Sequence, residues 1–257
     1  MAIKFEEVTY DEIENISFNI EKSKITGVAG SSDSFKSTLV DLISGLILPQ
    51  SGIIETSEKY DKIGIVYQDV DDQFMFDNIK KQFILTLKSH KVKNPEKKIF
   101  DSLKMFGLNK KILNKNYYEL STSEQKKISL ALVLSYNPRI LILDEVFTNL
   151  DNKSKESLIK IIRMMKIRYN KTIVLFSKDV DIIHRLCDNV LLINKGKIIN
   201  SGNKYEVFSN EKDMKKCNLE LPKLIKFSNI VKENKKIDIG YRDDINDLMK
   251  DIYRFVR

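Results

Sequence analysis

Ile25-Thr26-Gly27-Val28-Ala29-Gly30-Ser31-Ser32-Asp33-Ser34-Phe35-Lys36-Ser37-Thr38 is the stretch on which the reading of the whole chain turns. Its first six residues form a nearly continuous apolar run, as in a strand covered on both faces. A short Gly- and Ser-containing loop follows, and residues 39–46 then have helical character. Strand, loop and helix in this order form the setting of a phosphate-binding loop, G-x-x-x-x-G-K-[ST]. In such a loop, backbone N–H groups and the helix N-terminus surround phosphate oxygens. Lys36 is placed to meet the β- and γ-phosphates, and the Ser37 hydroxyl to hold Mg2+. Two positions depart from the pattern: Phe35 stands where glycine is expected before the lysine, and Asp33 replaces a further glycine. Alone, the segment reads equally well as a Ser-rich turn that opens a helix.

Working outward, residues 3–10 and 16–20 alternate apolar and polar side chains, as half-buried strands do. Residues 78–116 read mostly as helix, with Phe83 and Leu87 at one helical spacing and Ile99, Leu103 and Phe106 at another. A further helix follows Leu120. Residues 139–145 form an apolar strand that ends in two acids, Asp144 and Glu145. A helix over 153–169 leads to a strand over 172–176. Two short strands, 190–193 and 197–199, are joined by the hairpin signal Asn194-Lys195-Gly196. Strands alternating with helices predict an α/β core with a mainly parallel sheet. From about Glu211 the composition changes to a charged tail, with one helical stretch near 244–256.

The chain has 257 residues, 42% of them hydrophobic and 31% charged, enough for one large domain with an appendage and a substantial core. The formal charge of +8 rests mostly on Lys scattered along the chain, the pattern of a solvated surface, so direct nucleic-acid contact is not expected. No window approaches 18 uninterrupted apolar residues, and the opening residues carry no secretory signal, so a membrane role is expected to come through a partner. Cys187 and Cys217 lie far apart without metal-ligand spacing and read as reduced thiols.

Four more segments follow the phosphate loop in a telling order. They are Tyr67-Gln68 after a β-run, Leu120-Ser121-Thr122-Ser123-Glu124-Gln125, Leu141-Ile142-Leu143-Asp144-Glu145, and Asn149-Leu150-Asp151. Together they resemble the Q-loop, signature, Walker B strand and D-loop of the ATP-binding cassette family, over roughly residues 1–210. The resemblance implies a P-loop NTPase core with an antiparallel β subdomain. It also implies a helical signature subdomain over about 78–135 and a C-terminal extension over 211–257.

The roles that follow are those the resemblance implies. ATP and Mg2+ are the cofactors, and ATP hydrolysis is coupled to transport. Gly30, Ser31, Ser32, Asp33, Ser34, Phe35, Lys36, Ser37 and Thr38 make up the nucleotide loop. Ser37, Gln68 and Asp144 contact Mg2+, Gln68 also touches the attacking water, and Glu145 acts as general base. Ser121, Thr122, Ser123 and Glu124 reach nucleotide held by a partner cassette, with Thr122 and Ser123 replacing two glycines. Asp151 belongs to the D-loop. The family's switch histidine is replaced by Lys178, within Ser177-Lys178-Asp179. Tyr10 is the candidate for stacking on adenine, while His90 and His184 fall outside the motifs and read as structural or surface residues.

Two details resemble the energy-coupling factor branch, which drives uptake of vitamins and metal ions. These are Gln68-Asp69-Val70-Asp71-Asp72-Gln73-Phe74 and Leu219-Glu220-Leu221-Pro222 with a helix after it. By that resemblance the chain pairs with a second, homologous ATPase subunit and a transmembrane coupling protein. A separate membrane protein captures substrate, and residues 69–76 line a groove for a coupling helix. The chain then sits peripherally on the cytoplasmic face of the cell membrane. Two alternatives remain open at this level: a catalytically impaired cassette serving as structural half of a heterodimer, and a soluble cassette protein acting on nucleic acid.

Overall fold

The computed structural model describes residues 1–69, 71–237 and 239–255, so Val70 and Val256, named above, lie outside the described residues. Three strands, β1 (Ile3–Tyr10), β2 (Ile13–Ile20) and β4 (Ser51–Thr56), form an antiparallel sheet in the order β2-β1-β4. The second sheet contains β3 (Ile25–Ala29), β5 (Ile63–Val66), β6 (Ile140–Asp144), β7 (Thr172–Ser177), β8 (Asn189–Asn194) and β9 (Lys197–Asn203). Its order is β5-β6-β7-β3-β8-β9, parallel throughout except for β9, which returns antiparallel to β8 across the expected hairpin.

Every residue of β3, β6 and β7 is buried. Their two faces nevertheless serve different cores, because successive strand residues point to opposite sides. Leu141, Leu143, Ile173 and Leu175 join one apolar cluster with Phe83, Leu103, Ile128 and Ile162 from the helices. Ile140, Ile142, Val174 and Phe176 join the other, with Phe5, Ile16 and Leu39. The parallel sheet is therefore sandwiched between a helical layer and the antiparallel sheet with its adjoining helix.

The main helices are α1 (Lys36–Ser44), α2 (Ile79–Ser89), α3 (Pro95–Met105), α4 (Thr122–Ser135), α5 (Asn152–Tyr169) and α6 (Val180–Leu186). Helix α1 begins three residues before the expected start. It stops at Ser44 because Gly45, at φ 73°, takes the left-handed conformation that ends helices. The 78–116 region splits into α2 and α3, the second opening with Pro95, which is tolerated in a first helical turn. Strand β4 was not foreseen: none of its residues is buried, so its sequence carries no apolar pattern.

After α7 (Lys204–Ser209), the tail holds three helices where composition pointed to one: α8 (Glu211–Lys216), α9 (Lys223–Lys235) and α10 (Ile245–Phe255). Of these, α9 is the helix expected after Leu219-Glu220-Leu221-Pro222. Met214, Cys217 and Ile225 pack into the same cluster as the central strands, which explains why a strongly charged tail is ordered here.

Candidate nucleotide site

In the parallel sheet, Val66 pairs with Leu143, Asp144 with Phe176, and Ala29 with Ser177. The loops that leave the C-terminal ends of β5, β6, β7 and β3 thus emerge along one edge, where open α/β sheets place ligands. That edge gathers Gln68, Asp144 and Glu145, Ser177 and Lys178, and the loop from Gly30 to Lys36.

The loop is wound tightly. A Cβ on Gly30 would come within 2.5 Å of both the Ile193 carbonyl oxygen and Ser34 Oγ, so only glycine fits there. Ser34 donates to the Ser31 carbonyl through its backbone N–H (3.3 Å) and its hydroxyl (2.6 Å). The Lys36 ammonium lies inside the turn and donates to the Gly30 and Ser31 carbonyls, both at 2.7 Å, and to Ser34 Oγ at 3.2 Å. Burial lowers its pKa, opposed by the charges of Glu145 and Asp144. Ser32 and Ser37 are exposed, and Thr38 is half-buried one turn into α1.

Phe35 caps α1 at φ 61°, ψ 33°, the left-handed region where a glycine is expected. A non-glycine residue there costs about 1–2 kcal/mol. Its half-buried ring packs against the apolar cluster under the antiparallel sheet, which offsets part of that cost. Asp33 is exposed and accepts a hydrogen bond from the Ser31 hydroxyl, which holds its carboxyl below the usual range. The loop therefore carries a fixed negative charge on its outer side.

Asp144 and Glu145 are each 7% exposed. Burial, reinforced by the Glu145 charge and opposed by Lys36, pushes the Asp144 carboxyl up to about 6. Glu145 has φ 45°, again left-handed. Its Oε1 accepts from the Lys178 backbone N–H at 2.9 Å. Its Oε2 accepts from the hydroxyls of Ser177 at 3.2 Å and Thr148 at 3.4 Å. Three donors therefore orient one carboxylate. Ser177 and Thr148 were not singled out as functional residues, since a lone hydroxyl carries no signal in sequence. The Lys178 side chain is exposed and shares a cavity of about 420 Å³ with Ser31, Ser32 and the start of the C-terminal extension at Asn218–Leu221. Lys223 of that extension donates its backbone N–H to Asp181 at 2.8 Å and pairs with the same carboxylate at 3.4 Å.

Ser121 caps α4 in a reciprocal capping box with Glu124. Thr122 and Ser123 are the first helical residues, and Ser123 Oγ lies 3.1 Å from Ser154 Oγ. Ser154 in turn donates both its N–H and its hydroxyl to the Asp151 carboxylate, each at 2.9 Å, making Asp151 the N-cap of α5. The hydrogen bonds of Ser121–Glu124 stay within their own turn and on Ser154, and none reaches the phosphate loop of the same chain. Gln68 is exposed two residues beyond β5. Tyr10, at the end of β1, is half-buried against the cluster that also holds Phe35. In the 69–76 segment Phe74 does not line a groove: it is buried and stacked on Tyr117 with centroids 3.9 Å apart, while Met75 is exposed. His90 stacks on Tyr136 and His184 is buried beside Tyr205, both away from the site.

The residues fit Mg-ATP. A buried ammonium, a glycine-tight loop on a helix N-terminus and a buried carboxylate are matched by phosphates and a divalent cation. Among the described residues no group of three or more His, Cys, Asp or Glu could hold a metal ion. Mg2+ needs only one or two carboxylates, with phosphates and water completing its shell, and Asp144 offers one.

The profile of the ABC transporter family matches residues 13–148. The energy-coupling factor transporter ATP-binding protein EcfA2 of Staphylococcus epidermidis is 30% identical over 252 residues, covering 88% of each chain. The protein of the same name from Caldanaerobacter subterraneus is 27% identical, covering 100% of this chain and 98% of its own. The solved cbiO1 of Clostridium perfringens, part of the ABC transporter complex cbiONQ, superposes with a TM-score of 0.71 at 28% identity, covering 88% of this chain and 98% of its own. Fold, edge geometry and sequence agree, and the chain belongs to the ABC transporter family.

Proposed function

We propose that this chain is the ATP-hydrolysing subunit of an energy-coupling-factor-type transporter that takes up a vitamin or metal ion. The observation that carries the proposal is the single sheet edge that sets Lys36, Asp144 and Glu145 within electrostatic reach of one another beside a glycine-tight loop. The loop N–H groups and the Lys36 ammonium would hold the β- and γ-phosphates, exchanging the loop's own carbonyls for phosphate oxygens. Ser37, Asp144 and Gln68 would hold Mg2+, which supplies charge neutralisation for the phosphoryl group. Glu145, oriented by Ser177, Thr148 and the Lys178 N–H, would accept the proton of the attacking water. Lys178 brings a point charge to the cavity beside Ser31 and Ser32, in place of a planar donor. Tyr10 stands as the adenine platform. Ser121, Thr122, Ser123, Glu124 and Asp151 would act on nucleotide held by a second cassette.

The partners in this reading are a homologous ATPase subunit and a transmembrane coupling protein, with substrate captured by a further membrane protein. Among the described residues no helix is long and apolar enough to cross a membrane. In this reading the chain acts from the membrane's cytoplasmic face through those partners. A second reading, a nucleotide-binding but catalytically impaired half of the pair, draws on the Asp33 charge and on Ser123 being bonded to Ser154 in its own chain. Glu145→Gln in the assembled transporter separates the two. Loss of the turnover assigned to this subunit's site, by about a hundredfold or more, supports hydrolysis here. Turnover equal to wild type assigns catalysis to the other subunit.

A further inference from the structure

Lys126 belongs to none of the motifs, yet it is one of the few buried lysines, 4% exposed and one turn inside α4. A buried ammonium is stable only where acceptors surround it. Here the acceptors are backbone carbonyls of one loop: Lys126 Nζ donates to the Thr148 carbonyl at 2.6 Å and to the Glu145 carbonyl at 3.4 Å. The Glu145 carbonyl also accepts from the Thr148 N–H at 3.0 Å, which closes the turn around the ammonium. That turn carries Glu145 at φ 45°, a backbone conformation a glutamate rarely adopts unless its surroundings impose it.

We propose that Lys126 is a positioning residue for Glu145: its ammonium pins the 145–148 turn from the signature helix and so sets where the carboxylate stands. This rests on the reading of Glu145 as general base. It also joins two segments in one unit, because the helix whose first turn holds Ser121–Glu124 grips the loop that holds the base. A shift of α4 on contact with a partner cassette would reach Glu145 through this ammonium, independently of the Ser123–Ser154 contact.

The test uses the assembled transporter with Lys126→Met, Lys126→Arg, Glu145→Gln and the Lys126→Met/Glu145→Gln pair. The expected result for Lys126→Met is a kcat reduced about tenfold or more with KM for ATP within about twofold, since misplacing a catalytic group acts on the chemical step. Lys126→Arg restores most of the loss, and the double variant is no slower than Glu145→Gln alone. Hydrogen exchange on the isolated chain gives a readout that needs no turnover. Lys126→Met should speed exchange of the 145–150 amides while the β3 and β7 amides keep their protection. If Lys126→Met does not fold, Lys126→Gln, whose amide keeps N–H donors without the charge, replaces it and should show an intermediate effect. A wild-type kcat in Lys126→Met, or unchanged exchange at 145–150, overturns the proposal. Wild-type turnover in Glu145→Gln overturns the base assignment instead, and exchange then still decides whether Lys126 holds the turn.

Discussion

Phe35 and Asp33 show what single substitutions do to a phosphate loop. The left-handed angle at Phe35 is the one a glycine would take freely, so the loop keeps its shape and the strain is carried by the fold. Asp33 leaves the shape alone and changes the charge, since it stays ionised on the loop's exposed side. The double variant Phe35→Gly/Asp33→Gly should therefore bind Mg-ATP more tightly, by about tenfold in Kd, with the effect of Asp33→Gly alone shrinking as salt is raised. Isothermal titration at low and high salt measures this, and unchanged affinity would contradict the idea that these two positions weaken the site. At this scale the sequence brought forward Lys36, Asp144 and Glu145 by residue type at fixed spacing. It was silent on Ser177, Thr148 and Lys126, whose roles come from which turn they meet in space.

Elements were legible in proportion to their burial. The strands β3, β6 and β7, buried along their whole length, announce themselves as apolar runs, whereas β4 is held by pairing with β1 and carries no such signal. Of the tail helices α8 alone was masked by charge; core residues such as Met214 and Ile225, with polar contacts such as Lys223 to Asp181, tie the tail to the fold. Turns between elements have their own chemistry. Lys171, after α5, is 7% exposed and donates to Asn137 Oδ1 at 2.6 Å and to the Pro138 carbonyl, tying together the two turns that precede β7 and β6. Burial, reinforced by the Arg139 charge, pushes its pKa down to about 8. An unfolded lysine titrates near 10.4, so between about 8 and 10.4 the unfolded chain holds more protons and stability rises with pH. Below about 8 both states are protonated and the term is constant. The unfolding free energy of wild type minus that of Lys171→Met should accordingly grow from pH 8 to pH 10, by on the order of 2 kcal/mol. Urea denaturation at the two pH values reads it, and a flat difference would mean that the ammonium is fully satisfied by its acceptors.

For the molecule as a whole, the sheet order placed Gln68, Asp144, Lys178 and the phosphate loop on one edge, a convergence that motif order implied but could not locate. Ser123 and Asp151 meet at Ser154, and the hydrogen bonds of Ser121–Glu124 do not reach the phosphate loop of the same chain, the arrangement needed if they serve a second cassette. Everything proposed for transport depends on whether the edge takes nucleotide at all. The direct measurement is titration of the purified chain with a fluorescent ATP analogue and Mg2+, beside Lys36→Ala checked for intact folding by circular dichroism. The account predicts saturable binding below about 1 mM that is lost in Lys36→Ala. Absence of saturation by the folded wild-type chain, or equal binding by Lys36→Ala, would contradict it.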